Sequence, residues 1–408
     1  MSNWEQVKIK DVANTMSGGT PNRSTLEFYE HGDIPWLKTG ELKNKFIHHT
    51  EEMITELAVQ KSSAKLVPEN SVIVAMYGAT VGNLSINKIP LTTNQACCSI
   101  LPKEEKLNEE FLYYYLLKDK EKLIKMAAGG AQPNISQQLI KDYEILLPSL
   151  KEQQKIAEIL SSVDAAIEKT EQVIAKTEEV KKGLMQQLLT KGIGHTEFKQ
   201  TEIGEIPVDW KVQILGDIST ITRLAGAEYT DYWNPIEDGN IIALRGYNIG
   251  RNKLILDNVE KISEDLSNKL YRSKLFIDDI VFPCVGTIGK AAVIYEDNKF
   301  HINQNIAKIT PNPNIKSEYL VHYLMSDNIR SEILKYNTST SQPNVLVGNL
   351  RKFKIIVPSV DEQQMIASIL NNYDKKIDIE FKKLEVLKDL KRGLMQQLLT
   401  GQVRVKID

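Results

Sequence analysis

A long internal repeat constrains this chain of 408 residues more than any other feature of its sequence. The octapeptide GLMQQLLT occurs at Gly183–Thr190 and again, 210 positions later, at Gly393–Thr400. At the same offset the tripeptide QPN occurs at residues 132–134 and 342–344, and EQQ at residues 152–154 and 362–364. Upstream of these blocks the two halves are only faintly related. The chain therefore alternates variable and constant segments, which predicts that the constant parts do one job twice while the variable parts do two related jobs.

Each constant block has the pattern of a long helix. Ser149 and Ser359 precede Glu152 and Glu362 by three residues, which is the spacing of a capping box. A glycine follows each octapeptide, where a helix is expected to end. Between these limits apolar residues alternate at spacings of three and four, as in a coiled-coil seam: Ile156, Leu160, Val163, Ile167, Ile174, Leu184 and Leu188 in the first block, and Ile366, Leu370, Tyr373, Ile377, Leu384, Leu387, Leu394 and Leu398 in the second.

The order of these segments predicts an antiparallel helix pair. Because only a short linker and the second variable region separate the helices, the second must start near the end of the first and run back. The result is two globular heads joined by two long helices and related by a pseudo-two-fold axis. A helix of ~40 residues spans roughly 60 Å, or between one and two turns of DNA at about 34 Å each. The predicted segments are a first head (1–148), a first helix (149–190), a linker (191–208), a second head (209–357), a second helix (358–400) and a tail (401–408).

Both heads are predicted to be α/β (α+β) in class. The apolar runs Ser71–Ala75 and Asp279–Phe282 indicate buried strands, and each leads into a glycine turn, at residues 78–82 and 286–289. A polar Asn-Gln pair follows in each head, at residues 94–95 and 303–304. Amphipathic helices are predicted at Glu109–Lys125 and Ser317–Lys335.

The chain carries little that indicates catalysis. It has no NPPY or DPPY tetrapeptide of methyltransferases and no GxxxxGK[ST] phosphate loop. His195-Thr196-Glu197 resembles the start of a deaminase zinc signature but lacks its later cysteine pair. The three cysteines, Cys97, Cys98 and Cys284, lie in apolar runs and are predicted to be packing residues. We therefore predict no catalytic residue, no metal site and no cofactor in this chain.

Location and charge give weaker indications. No run approaches the ~20 apolar residues of a membrane span, and the N-terminus lacks the pattern of a secretory signal. These features predict a cytoplasmic protein without a membrane partner.

The 51 basic and 53 acidic residues give a net charge of −2, whereas a protein that binds DNA unaided usually has a basic excess. If this chain binds DNA, its positive surface must be local or supplied in part by another subunit.

The polar residues of the heads fit the reading of DNA bases. Asn and Gln can form two hydrogen bonds with adenine, and Arg or Lys can bind guanine. Each candidate alone has a structural explanation as a polar or solvated residue, and the prediction rests on the group. The candidates are Arg23, Lys38, Asn94, Gln95, Gln132 and Asn134 in the first head, and Arg223, Arg245, Tyr247, Asn303, Gln304, Gln342 and Asn344 in the second.

Several motifs resemble those of type I restriction–modification specificity subunits. GLMQQLLT followed by GQVR at residues 401–404 is similar to their closing motif, and EIGEIP at residues 202–207 with Trp210 is similar to the start of their second target-recognition domain. Gly18–Pro21 with Ile34–Trp36 resembles the first domain, and Pro148–Ile156 resembles the start of their long helices. The second head departs from this pattern, because it reads Leu224–Ala227 in place of the glycine-threonine motif.

The resemblance implies a DNA-binding subunit without catalytic activity. Each head would read one half of an asymmetric, bipartite target in double-stranded DNA, and the helices would set the spacing and bind two methyltransferase subunits. Two motor-nuclease subunits would complete the complex, and S-adenosylmethionine, ATP and magnesium would belong to these partners. Two other functions stay open at this stage. A stand-alone sequence-specific regulator would bind DNA tightly by itself, and a purely structural coiled-coil adaptor would show no dependence on DNA.

Overall fold

The computed structural model describes residues 4–127, 134–337 and 344–407. Its contacts divide the chain into two compact units: unit one comprises Met1–Glu171 with Lys383–Asp408, and unit two comprises Gln172–Lys382. Each unit contains one predicted head together with a part of each long helix. The compact units therefore differ from the predicted segments, because each head packs on helical residues from both constant blocks.

Unit one is a mixed α/β structure. Its strands form a five-stranded sheet in the order β2-β9-β6-β7-β4, a three-stranded sheet β5-β3-β8, and the pair β1-β10. The elements are β1 (Glu5–Lys8), α1 (Ile9–Val12), β2 (Ala13–Ser17), β3 (Ile34–Leu37), β4 (Phe46–Ile47), β5 (Glu52–Ile54), α2 (Glu56–Lys61), β6 (Val72–Ala75), β7 (Leu84–Asn87), β8 (Thr92–Thr93), β9 (Cys97–Pro102), α3 (Glu109–Lys118), α4 (Lys120–Met126), α5 (Gln137–Asp142) and β10 (Glu144–Leu147), and the helix α6 (Leu150–Leu188) begins here.

Unit two repeats this plan. It has a four-stranded sheet β14-β20-β17-β18, a three-stranded sheet β16-β15-β19, and the pairs β13-β21 and β11-β12. The elements are β11 (Phe198–Thr201), β12 (Gly204–Pro207), β13 (Lys211–Ile214), α7 (Leu215–Ile218), β14 (Ser219–Thr222), α8 (Gly226–Tyr232), β15 (Ile241–Leu244), β16 (Glu260–Ile262), α9 (Glu264–Lys269), β17 (Ile280–Pro283), β18 (Ala292–Val293), β19 (Phe300–Ile302), β20 (Ile306–Pro311), α10 (Ser317–Leu324), α11 (Asp327–Tyr336), α12 (Val347–Leu350), β21 (Lys354–Val357) and α13 (Val360–Leu399).

The predicted α/β class with an internal repeat is confirmed. The strands β6 and β17 are buried along their whole length, as the apolar runs predicted. The predicted amphipathic helices are each two shorter helices, α3 with α4 and α10 with α11. The break after α3 falls at Asp119, and Ser326 caps the N-terminus of α11 through its side chain. Large aromatic side chains, among them Phe111, Tyr319 and Tyr323, fill the core between these helices and the sheets.

The long helices run antiparallel within each unit, as predicted. In unit one, α6 residues Asp164 and Glu171 form ion pairs with α13 residues Lys391 and Lys388, so ascending positions in α6 meet descending positions in α13. The seam of α6 also contains polar residues at the expected heptad positions. Thr170 is buried there, and its hydroxyl donates to the carbonyl of Ala166 in the same helix. The hydroxyl therefore needs no hydrogen-bond acceptor from α13.

The repeated EQQ sequence holds the heads on the helices. Ser149 caps α6 as predicted, because its hydroxyl oxygen accepts from the Glu152 amide and also donates to Glu152 Oε2 at 3.3 Å. The other carboxylate oxygen, Glu152 Oε1, lies within hydrogen-bond distance of both Nε and Nη2 of Arg404. The second residue of the repeat, Gln153, donates to the carbonyls of Lys106 and Pro148 and accepts from the Asn108 amide. Each constant glutamine thus fixes the start of a long helix to the head that precedes it, and Gln363 makes the equivalent bonds in unit two.

The segment predicted as a plain linker is folded. Within residues 191–208, Phe198–Thr201 and Gly204–Pro207 form the antiparallel hairpin β11-β12, and Ile206 is fully buried. The turn is possible because Gly204 has a φ of +110°, which a side chain would strain. Over the described ranges, no helix is both long and apolar enough to cross a membrane.

Candidate nucleic-acid interface

In unit one, four of the predicted site residues, Lys38, Asn94, Gln95 and Asn134, lie where several loops converge beside the sheets. The Met76 amide donates to Ala96 O at 2.8 Å, and the Ile135 amide donates to Met76 O at 2.8 Å. These bonds join the glycine loop (residues 78–82) to the polar loop (residues 94–95) and to the segment after residue 133. The Gly19 amide donates to Thr93 O at 2.9 Å. We call residues 18–20, 38, 78–82, 94–96 and 134 the loop face of unit one.

The same convergence occurs in unit two. The Cys284 amide donates to Asn305 O at 2.8 Å, and the Val345 amide donates to Cys284 O at 2.9 Å. The Thr287 hydroxyl in the glycine loop donates to Gly246 O at 3.1 Å. We call residues 223–225, 245–248, 286–289, 303–305 and 344 the loop face of unit two. The two faces thus share a backbone plan and differ in side chains.

Glycines in two loops of unit one are required for different reasons. In the glycine loop, Gly78 and Gly82 have φ values of +86° and +77°, in the left-handed region that favours glycine. In the N-terminal loop, a Cβ on Gly18 would lie 2.1 Å from Asn94 O, and one on Gly19 would lie 2.3 Å from the backbone between Ser63 and Ala64. The Gly18-Gly19 pair is therefore required by packing. Unit two has a different loop, in which Leu224 is a core residue.

Each loop face carries a basic residue that is paired with a glutamate. Lys38 directly follows β3, and its Nζ lies 2.7 Å from Glu52 Oε1 at the start of the neighbouring β5. Arg245 directly follows β15, and it donates through Nε and Nη2 to the two carboxylate oxygens of Glu260, at 2.6 and 2.8 Å, at the start of β16. The hydrogen bonds to Glu260 raise the pKa of Arg245.

A second cation joins the pair in unit one. Arg23 Nη1 lies 2.7 Å from Glu52 Oε2, and its guanidinium lies over the rings of Tyr29 and Trp36 at 4.6 and 4.9 Å. The hydrogen bonds from Arg23 and Lys38 hold the pKa of Glu52 below its usual value, so this carboxylate is ionised at neutral pH. Glu52 therefore orders two cationic side chains beside the loop face.

The Asn-Gln pairs divide into a supporting and an accessible residue. Asn303 is only 5% exposed, and its side-chain oxygen accepts from the Asn305 amide at 2.9 Å, so it shapes its own turn. Asn94 is partly buried, and its backbone carbonyl accepts from the Cys97 amide. Gln95 is exposed and Gln304 is partly exposed. A base contact by Gln304 stays a prediction, whereas the geometry of Asn303 indicates a structural role.

The remaining candidates are spread over both faces. Asn134 is exposed, and the Asn344 amide donates to the side-chain oxygen of Asn337. Tyr247 is half exposed in the turn after Arg245. Arg223 is partly exposed at the end of β14, and within the described residues it forms no ion pair or hydrogen bond. Gln132 and Gln342 lie outside the described residues.

The residues considered for other chemistry have structural roles. His195 Nε2 lies 2.9 Å from Glu362 Oε1, and the Trp210 indole donates to the other carboxylate oxygen at 2.8 Å. His195 therefore serves as a hydrogen-bond partner of the buried Glu362 carboxylate. Burial raises the pKa of Cys97 and of Cys98 to about 12, so both are packed thiols. Among the described residues, no three His, Cys, Asp or Glu side chains are grouped so that they could hold a metal ion.

Sequence reasoning missed the two glutamates that order the basic residues. Glu52 and Glu260 are separated from Lys38 and Arg245 by about fifteen residues, and only the pairing of the strands brings them together. A faint signal existed: Glu52 begins the sequence EMITE and Glu260 begins EKISE, at equivalent places in the repeat.

Comparison with known proteins identifies the class of protein. Residues 1–179 and 207–389 match the family described as Type I restriction modification DNA specificity domain. The chain belongs to this family, and it is the specificity subunit of a type I restriction–modification system. These proteins are named as the specificity component of such enzymes, which agrees with a subunit that is itself not catalytic. The family assignment does not favour a stand-alone regulator.

Particular relatives extend along nearly the whole chain. The MjaVIII specificity subunit of Methanocaldococcus jannaschii is 30% identical, over 99% of this chain and 93% of its own length. The EcoBI specificity subunit of Escherichia coli is 24% identical, over 89% of this chain and 77% of its own length. The fold resembles that of the type I S subunit from M. genitalium, with a TM-score of 0.59 at 18% identity, covering 97% of this chain and 96% of that one. A chain solved in a study of type I complex assembly gives a TM-score of 0.57 at 16% identity, with 97% of each chain covered.

Proposed function

We propose that each loop face reads one half of an asymmetric, bipartite DNA target. The observation that carries this proposal is the recurrence of one backbone plan with different side chains: Lys38 in unit one corresponds to Arg245 in unit two. Two surfaces with the same backbone dock on a duplex in the same way, and side chains that differ select different bases. An asymmetric target with two separate half-sites follows from this arrangement.

Affinity for the phosphate backbone would come from local positive charge. Helix α4 lies beside the glycine loop of unit one, where Lys120 donates to the side-chain oxygen of Asn83 at 2.8 Å, and Lys122 and Lys125 are exposed on the same helix. Because the net charge of the chain is −2, we expect the chain alone to bind DNA weakly and with a strong dependence on salt. Partner subunits would supply the rest of the positive surface.

We further propose that the long helices bind two methyltransferase subunits and set the spacing of the half-sites. Helix α13 exposes large apolar side chains, with 66% of Val386 and 64% of Ile379 accessible. Ile379 and Val386 are seven residues apart on α13 and therefore share one face of the helix. A row of exposed apolar side chains supports a surface for a protein partner. Two motor-nuclease subunits would join the complex in the cytoplasm. S-adenosylmethionine, ATP and magnesium would be bound by those partners.

The test is to co-express the chain with its methyltransferase partner and to sequence the methylated DNA. We expect a bipartite motif, and no methylation from either protein alone. Replacing residues 209–357 by the matching segment of a relative should change one half-site and leave the other intact. Methyl transfer by the purified single chain, or a segment exchange that alters both half-sites, would contradict the proposal.

A further inference from the structure

The paired basic residue occupies the same place in both units, although the two heads have otherwise diverged. In each unit it follows the central strand of the three-stranded sheet, and its carboxylate partner begins the antiparallel neighbour of that strand. The backbone beyond it is held in the same way, because the Lys38 amide donates to Glu41 Oε1 and the Arg245 amide donates to Asn248 Oδ1. This local structure fixes where the basic side chain starts.

The paired residue also lies next to the polar loop. Leu37 pairs with Thr93 in parallel strands, and Leu244 pairs with Ile302, so the next residue along each strand enters the loop face. The basic residue and the Asn-Gln loop therefore leave the sheet side by side. Both cations stay partly accessible, with 31% of the Lys38 side chain and 39% of the Arg245 side chain exposed.

Stability does not explain why such a pair recurs. An ion pair whose cation is this exposed contributes little to stability. The pairing has a clearer effect on the N–H groups of the cation that the glutamate leaves free. Glu260 uses Nε and one Nη of Arg245, which leaves the opposite edge of the guanidinium with two N–H donors. That edge matches the O6 and N7 acceptors of guanine in the major groove, and the carboxylate has already fixed the side chain, which lowers the entropy lost on binding.

We propose that Arg245 and Lys38 are specificity-determining residues at equivalent positions, each reading a guanine in its own half-site. The inference rests on the proposed function and deepens it. Glu260 and Glu52 act as positioning residues, because they orient the cation and do not touch the base. Arg245 presents a rigid two-donor edge and Lys38 a single charged group, so the two heads make contacts of different strength at the same place.

The experiment uses the full chain in complex with its methyltransferase subunits. The motif is first read by sequencing methylated DNA, and duplexes with each single base-pair change then compete for binding. We expect R245K to lower discrimination at one guanine of the second half-site by about 5- to 150-fold, with every other position unchanged. K38A should act in the same way on the first half-site only. E260Q should weaken discrimination at the position affected by R245K.

The control is Lys299→Gln, because the Lys299 side chain is about as exposed as that of Arg245 (41% against 39%) and pairs with Glu296 outside the loop face. This variant should leave every position unchanged. Thermal melting of each complex checks that the variants fold. Equal weakening of all duplexes by R245K would assign Arg245 to phosphate, and an unchanged profile with R245K and R245A would assign it to structure. Either result overturns the inference. Absence of any bipartite motif with the wild-type complex would instead overturn the proposed function.

Discussion

Each unit has a contact between a helix of the head and a long helix, and the buried residue His322 makes this contact different in unit two. In unit one, the Tyr114 hydroxyl donates to Asp164 of α6 at 2.6 Å, which ties the head helix to a long helix. In unit two, His322 stands at the corresponding position and reaches Asn371 of α13 at 2.8 Å. Asp374 Oδ2 has no hydrogen-bond partner within the described residues. Lys181 of α6 pairs with the other oxygen of Asp374.

Stability should depend on pH through His322. Burial and then the Lys181 charge lower its pKa from 6.5 to about 4. Between these values the unfolded chain binds a proton that the folded chain does not, so stability is lost as the pH falls below about 6.5. We expect the free energy of unfolding to drop by about 2 kcal/mol between pH 7 and pH 5 from this group.

The variant His322→Tyr should remove that contribution, because tyrosine stays neutral over this range and can donate to Asp374 as Tyr114 donates to Asp164. Urea denaturation of both proteins at pH 7 and pH 5 gives the comparison. Other titrating groups act equally in the two proteins, so an identical loss of stability in both would show that His322 is protonated in the folded chain.

At the scale of elements, the segment that follows each long helix binds the buried glutamate at the start of the other long helix. The segment after α13 reaches back to unit one, where Arg404 binds Glu152 at 2.6–2.7 Å. The segment after α6 does the same in unit two, where the Ile193 amide and His195 both bind Glu362. Glu152 and Glu362 are almost fully buried, and in each carboxylate the Oε1 atom depends on this segment for its partners. The tail and the linker are therefore equivalent parts of the fold.

Arg404→Ala should accordingly destabilise unit one. A buried carboxylate that loses its donor costs about 1–3 kcal/mol. The matched control is Arg392→Ala, because Arg392 pairs with Asp389 on an exposed part of the preceding helix and should change stability by less than about 0.5 kcal/mol. Chemical denaturation measures both. Equal effects of the two substitutions would mean that the tail contributes nothing specific.

The helices were predictable from the sequence and the hairpin was not. The start of α6 at Leu150 and of α13 at Val360 follows from Ser149 and Ser359, because caps and a heptad pattern are local signals. Strands β11 and β12 have four residues each and gain stability from Ile206 in the core. A contact of that kind leaves no periodic pattern, so the segment reads as a linker.

The same difference explains how far the site could be predicted. Arg245 and Lys38 were predicted as candidates because basic side chains suit guanine, which is a property of the residue alone. Their glutamate partners depend on strand pairing, and the burial of Asn303 depends on the surrounding fold. Residue chemistry thus predicts the candidates for base contact, and the tertiary structure adds which of them are accessible and which are buried.

For the whole molecule, the proposal that the helices set the half-site spacing has a mechanical consequence. Helices α6 and α13 have 39 and 40 residues, and their antiparallel pairing means that both must be lengthened together. Four added residues extend a helix by about 6 Å and rotate its end by about 40° beyond a full turn. Seven added residues extend it by about 10 Å, or about three base pairs, over which the groove turns by roughly 100°. The shorter insertion therefore disturbs the angle of approach less.

We predict that inserting four residues after Ala175 and four after Glu385 increases the gap between the half-sites by one or two base pairs, at ~3.4 Å per base pair. Both half-site sequences should stay the same, because neither insertion touches a loop face. Sequencing of methylated DNA from the complex with its methyltransferase subunits measures the gap directly. Insertion after Ala175 alone serves as the control and should abolish activity, since it shifts the seam of one helix against the other. An active double insertion with unchanged spacing would mean that the partner subunits set the distance.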